Sequence, residues 1–226
     1  MNLLAIDTAA NFCSACVLNT EAGSELGRTV HDIGKGHAEL LLGVIEETLR
    51  ISKVGYADLG GIAVAAGPGS FTGVRVGVSA ARGLALALKI PAVGVTTLEA
   101  IAEEARSAYP GRSIMAVIDA RRDEFYTAAF DALGVVVHAA SAIGLDEAIA
   151  LAAKLRPVLA GSAAGLIANA VQPLDLDVGS TSATADIGVY ARLALAKNWS
   201  EKPRPVYLRE PDAKPQAGLI LPRSGN

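Results

Sequence analysis

The chain has 226 residues, 51% of them hydrophobic, 19% charged and 4% aromatic, so its interior is built from alanine and aliphatic side chains. That composition excludes disorder, which needs low hydrophobicity and high charge, and the length suits one large domain or two small ones whose core needs no disulfide or metal. The formal net charge of −3 supplies no general basic field for capturing a phosphate backbone, which disfavours a stand-alone nucleic-acid binder.

In chain order, Leu3 to Asp7 (LLAID) is a short apolar run ending in an acid and then Thr8, the pattern of a buried strand delivering a carboxylate to its C-terminal edge. Asp7 interrupts the run too early for a secretory signal, so a cytoplasmic, soluble protein is expected. Cys13 and Cys16 stand three apart in an alternating strand pattern, which points them to opposite sides and argues against a disulfide. Without a second pair or a following helix start, they read as small packing residues rather than a redox or zinc site.

His37 to Ile51 is an amphipathic helix with Leu40, Leu41, Val44, Ile45, Thr48 and Leu49 on one stripe. A buried strand over Ile62 to Gly67, a loop GPGSFTG and a helix over Val74 to Leu88 follow. After a strand at Ala92 to Val95, Thr96 or Thr97 caps a further helix. The longest apolar region contains Arg82, Lys89 and Pro91 and does not read as a bilayer span.

About 112 residues after the first strand its pattern returns as IMAVID, Ile114 to Asp119. With Asp7 laid on Asp119, Cys13 to Leu18 falls on Phe125 to Phe130, and the turn at Gly23 matches that at Gly134. Helices over LDEAIALAAKL, SAAGLIANAV and, from Asp186, DIGVYARLALAKNW alternate with a strand VLAG. The result is an α/β chain of two similar halves, residues 1–110 and 111–226, each opened by a three-stranded meander. From Lys202, prolines at 203, 205, 211 and 215 mark irregular chain, with disorder expected over the last ten residues or so.

Asp7, with Thr8 beside it, and Asp119 are the first candidates for chemistry, because acids at equivalent strand ends would face each other across a cleft and suit magnesium and phosphate. The loops after them, TAANF and ARRDE, lack the glycines that let backbone N–H groups approach a nucleotide, so the site reads as vestigial, with capping of the loop backbone as the alternative role. GPGSFTGVR, Gly67 to Arg75, opens a helix after a strand but follows neither phosphate-loop spacing, and a tight turn with close helix packing is the simpler reading. Gly73, Gly77 and Gly83 in the helix after it require a close neighbour, either the chain's own sheet or a partner helix. No two of His31, His37 and His138 have the i, i+4 spacing of a metal pair, and His37 reads as a polar first-turn residue. Ser70 has no base near it in the chain, and Arg121, Arg122, Asp123 and Glu124 form either a solvated turn or a polar lip able to bind phosphate or acids.

The set IDTA, HAELLL, AAGPGSFTGVRVGVSAARGLA, IDARRDEFY and PVYLREPDAK resembles the bacterial TsaB (YeaZ) family over Asp7 to about Lys214. The resemblance implies the fold of acetate kinase, sugar kinases, Hsp70 and actin, two βββαβα domains around a cleft. It implies work in making N6-threonylcarbamoyladenosine (t6A) at position 37 of tRNAs that read codons beginning with A, by a member without catalysis of its own. The partners it implies are the paralogue TsaD, which holds a metal through HxxxH and transfers the threonylcarbamoyl group, and the ATPase TsaE, with a homodimer when alone, ATP or ADP only in the complex, and tRNA reached indirectly. The family's dimer surface, carried onto this sequence, falls on the first two helices at His37, Leu41, Val44, Ile45, Val74, Gly77, Ala81 and Leu84. The competing expectation is an enzyme in its own right, an ATP-dependent phosphotransferase or a peptidase, using Asp7, Asp119 and the glycine loop.

Overall fold

Two sheets, each opened by an antiparallel meander, carry the fold in the computed structural model, which describes residues 1–209. The disorder expected for the last ten residues falls outside them. The first sheet contains β1 (Asn2–Asp7), β2 (Phe12–Asn19), β3 (Ser24–Asp32), β4 (Leu59–Ala65) and β5 (Ala92–Val95), in the order β3-β2-β1-β4-β5, with β4 and β5 parallel to β1. Helices α1 (His37–Ser52) and α2 (Phe71–Leu88) make the crossovers, and α3 (Thr97–Ala108) leaves for the second half. There β6 (Ile114–Asp119), β7 (Glu124–Phe130), β8 (Val136–Gly144) and β9 (Val158–Ala160) form the order β8-β7-β6-β9, with helices α4 (Leu145–Leu155), α5 (Ala164–Ala170) and α6 (Ile187–Ala194). A single bridge between Leu159 and Val178 stands where the first sheet has its fifth strand.

Local chemistry sets the helix starts. Helix α2 begins at Phe71, three residues before the sequence reading, because the Ser70 hydroxyl accepts the Gly73 amide as an N-cap. Thr96 caps α3 in a reciprocal box with Glu99, and Asp186 caps α6 through the Gly188 amide. Among the described helices, α2 is long and apolar enough to cross a membrane, but its stripe Gly73, Val74, Gly77, Val78, Ala81 and Ala85 is buried against the first sheet.

The two halves exchange helices. The outer face of the first sheet is covered by α1 and α2, while its inner face is covered by α6, from the far end of the described chain. Helix α3 instead packs on β6, β7 and β9, α4 and α5 cover the other face of that sheet, and α3 and α6 touch in the middle. The expected boundary near residue 110 therefore separates the sheets but not the helices. Apolar contact drives this arrangement: Ile114, Ala116 and Ile118 of β6 join one large core with the first half, and Met115 and Val117 belong to a smaller cluster with Ala148 and Ala152 of α4.

Helix α6 ends at Ala194, short of the Trp199 expected from the sequence, so the irregular chain begins there and not at Lys202, yet it is pinned. Trp199 lies against Gly61, Pro203 against Gly94, and the Val206 amide donates to the Ala66 carbonyl at 2.8 Å. Arg75 stacks on the Phe71 ring, 3.5 Å from its centroid, and donates to the Tyr207 hydroxyl at 2.7 Å. Arg209 then crosses to the second half, donating to the carbonyls of Ala120 and Arg121 and pairing with Glu124.

Candidate functional site in the cleft

A cleft of about 730 Å³ opens between the two halves. Its walls come from the loop after β1 (Ala9 to Asn11), the start of α1 (Lys35 to Glu39), the glycine loop from Gly69 to Gly73, and Asp119, Arg121 and Ser162 of the second half.

Asp7 does not line it. The carboxylate is 2% exposed and accepts the Ala9 amide at 2.8 Å. Burial raises its pKa from 3.8 to about 6, opposed by the Ala9 hydrogen bond, a hydrogen bond with the Thr184 side chain and the His37 ring. Asp119 does line the cleft, exposed, with one oxygen accepting the Arg121 amide at 2.6 Å. The two acids do not face each other. By strand alternation Asp7 shares the side of Leu3 and Ala5, toward Thr184 and the buried Tyr190, whereas Asp119 shares that of Met115 and Val117, the side of α4 and α5. The pairings show the slip: Asp7 lies opposite Ser14, but Asp119 lies opposite Phe125, the residue that the sequence alignment matched to Cys13. Relative to β2 and β7, the first strands are thus offset by one residue, which flips every side chain, and Ile118 takes the inward place that Asp7 has in β1.

The glycine loop is spent on packing. The Ser70 amide donates to the Ala9 carbonyl at 2.7 Å, and the Thr8 hydroxyl donates to the Gly73 carbonyl at 2.7 Å. A Cβ at Gly69 would stand 2.2 Å from the Ala9 oxygen, and one at Gly73 would stand 2.0 Å from the Thr8 oxygen. Gly67, at φ +90°, turns the chain so that its carbonyl accepts the Thr97 amide at 2.8 Å. The backbone that would cradle a phosphate instead holds the β1–β2 connection to α2. Thr8 thus serves packing, and the polar residues that line the cleft include Asn11, Lys35, Glu39, Asp119, Arg121 and Ser162. Arg121, Arg122 and Asp123, the expected polar lip, run through three successive left-handed conformations.

The proposed dimer residues need correcting. His37 is buried with its Nε2 3.1 Å from the Phe12 carbonyl oxygen, and Leu41, Val44, Ile45, Val74, Gly77 and Ala81 are all buried in the chain's own core. Leu84 is half-buried against that core. Gly77 is small because the Thr8 hydroxyl would lie 2.4 Å from its Cβ. The outward faces carry other residues: Leu40 and Leu42 on α1, with Leu42 55% exposed, and Phe71, Arg75, Ser79, Arg82, Gly83 and Leu86 on α2, with Phe71 59% and Leu86 82% exposed. Leu40, assigned to the apolar stripe from sequence, is among them. A Cβ at Gly83 would meet nothing within 4 Å. Of the three α2 glycines, two answer to the chain's own sheet and one to the outside.

Cys13 and Cys16 are both free and buried. Burial pushes the Cys13 thiol up to about 11, with Asp7 adding to it, and the Cys16 thiol up to about 12, with Glu25 adding to it. These separate neighbourhoods agree with opposite sides of β2. Both are core residues.

A duplicated βββαβα unit with a cleft between its halves defines an actin-like ATPase fold, here with the cleft's first acid sealed beneath the floor. The family model described as TsaD, tRNA N6-adenosine threonylcarbamoyltransferase, matches residues 31–165. The tRNA threonylcarbamoyladenosine biosynthesis protein TsaB of Escherichia coli is 37% identical over 133 residues, 58% of this chain and 55% of that protein, so the chain spans about half the length of that relative. An uncharacterised protein of Mycobacterium tuberculosis is 34% identical over 95% of each chain. Among solved structures, a Pseudomonas aeruginosa protein described as similar to peptidase YeaZ superposes with a TM-score of 0.77 at 27% identity, covering 92% of this chain and 99% of that one. The chain belongs to the TsaB (YeaZ) family of actin-like ATPase-fold proteins.

Proposed function

We propose that this chain serves tRNA t6A biosynthesis as a non-catalytic subunit that pairs with a TsaD-type transferase through the outward faces of α1 and α2. The observation that carries the reading is the glycine loop, whose amide at Ser70 and whose glycine surfaces at Gly69 and Gly73 are occupied by the carbonyls of Thr8 and Ala9. A phosphate cradle needs such groups unengaged. The exposed apolar residues Leu42, Phe71 and Leu86, with the open Gly83 surface between them, suit close packing against partner helices. The TsaE ATPase joins the pair, nucleotide enters only with the complex, the lone chain self-associates through the same faces, and the work is cytoplasmic.

The test is affinity capture of the TsaD paralogue from the same organism by the wild type and by Leu42→Arg and Leu86→Arg, with t6A measured in tRNA from cells carrying each variant. Loss of both capture and t6A, with an unchanged circular dichroism melt, is expected. Undiminished capture by both variants sinks the assignment of these faces, and tight magnesium-ATP binding to the chain alone in calorimetry, lost in Asp119→Ala, sinks the non-catalytic reading in favour of a phosphotransferase.

A further inference from the structure

A second concavity, of about 690 Å³, lies between the C-terminal ends of β4 and β5 and the returning segment, and Thr96, Lys197, Asn198, Ser200, Lys202 and Arg204 are among its lining residues. We propose that this groove binds phosphate groups through Lys202 and Arg204, and, building on the function proposed above, that they are backbone phosphates of the tRNA. Lys197 is neutralised by Glu99 at 2.5 Å, and the groove's own acid, Glu201, stands near the Asn198 side chain. Lys202 and Arg204 have no ion-pair partner among the described residues, and set against the single acid Glu201 they leave the wall with a net positive charge in a chain whose net charge is −3.

The frame around that pair is built. Pro203, between them, is buried with its Cβ 3.5 Å from where a Gly94 Cβ would stand. Trp199 seated on Gly61 holds the segment before it, and the hydrogen bond from Val206 to Ala66 holds the segment after it. With the proline ring turned inward, both cations flank it on the solvent side, ~6–7 Å apart along extended chain, a span for neighbouring phosphates of one strand. Proline fixes its own φ, so little ordering remains to be done on binding. Arginine offers a planar fork for phosphate oxygens, and lysine a compact charge.

The test uses Lys202→Ala/Arg204→Ala in the full chain, both positions being exposed, with the melt checked against wild type. For the chain alone, inorganic phosphate is titrated while backbone amides are followed by NMR; shifts centred on residues 198–206 in the wild type and absent in the variant are expected. For the complex with the TsaD paralogue, tRNA affinity is measured against salt; the variant is expected to bind about tenfold more weakly, with a salt slope smaller by about 1.5–2 and capture of the paralogue unchanged. No shift at the groove together with unaltered tRNA affinity and slope overturns the proposal. Shifts with phosphate alone, and no change for tRNA, overturn the tRNA assignment and leave a free phosphate as the ligand. Failure of the wild type to capture the paralogue counts against the proposed function only, and the phosphate titration then decides the groove.

Discussion

Thr8 and Gly73 are locked in both directions: the Thr8 hydroxyl donates to the Gly73 carbonyl at 2.7 Å, while the Thr8 carbonyl oxygen fills the place of a Gly73 Cβ, 2.0 Å from where it would stand. Together with Gly77 against the same threonine, this fastens α2 to the end of β1.

The glycines of α2 separate by what faces them. Gly73→Ala and Gly77→Ala each drive a methyl into Thr8 and are expected to cost about 2–3 kcal/mol in urea unfolding. Gly83→Ala enters open space on an exposed helix face and is expected to add about 0.5–1 kcal/mol. Equal gains at all three positions would mean that the glycines answer to helix propensity and not to the neighbouring chain.

Opposite faces of one helix respond differently to arginine. Ala81→Arg buries a charge at a fully enclosed position, and no soluble folded protein is expected from it. Leu86→Arg changes a residue that is 82% exposed and is expected to stay within about 0.5 kcal/mol of wild type. Side-by-side thermal melts and size-exclusion profiles check the pair; a folded Ala81→Arg protein would contradict the placement of α2 on its own sheet.

Asp7 links stability to pH. The unfolded carboxyl releases its proton near 3.8 and the folded one near 6. Below 3.8 both states are protonated and the buried acid exacts no charge penalty. Between the two values only the unfolded state ionises, so stability falls as pH rises, and above about 6 the full cost, about 3 kcal/mol, is present. Asp7→Asn, which keeps an acceptor for the Ala9 amide, is expected to be more stable than wild type by about 1–3 kcal/mol at pH 7.5, with the difference shrinking by pH 4.5. Denaturant midpoints at the two pH values measure it, and a variant less stable at pH 7.5 would show that the charge itself is needed.

Cys13 and Cys16 are expected to be inert while the chain is folded. Burial raises both thiols to about 11 and about 12, leaving little thiolate at pH 8 and no access for a reagent. A chromogenic disulfide reagent should report two thiols only as the protein unfolds, at a rate that follows denaturant. Rapid modification of either in the native protein would count against the packing of β2.

Much of this molecule is legible in its residues. The spans of α1 and α4, the meander strands and a threonine cap at 96 or 97 follow from hydrophobic period and short side-chain bonds, which are local, and the reciprocal bond with Glu99 selects Thr96. The start of α2 was hidden because Gly-Pro-Gly reads as a loop up to Gly73, while Ser70 already caps the helix. The resemblance put the dimer face on Gly77 and Ala81, and small residues signal close packing without naming the neighbour; for Gly77 that neighbour is Thr8 within the same chain. Asp7 and Asp119 looked equivalent because an alignment counts residues, whereas the sheet counts faces, and one residue of slip reverses them. The passage of α6 to the first sheet depends on contacts more than ninety residues apart, which no local pattern contains.

That crossing of α3 and α6 makes the two halves mutual templates. A polypeptide interrupted at Pro110 would yield one fragment with an empty apolar slot where Ile187, Tyr190 and Ala194 belong, and another lacking the Leu98, Ile101 and Ala105 side of its own sheet's cover. Neither piece has a finished interior, but each carries the missing part of the other, so the fold is one cooperative unit whose severed parts would recombine as complementing fragments.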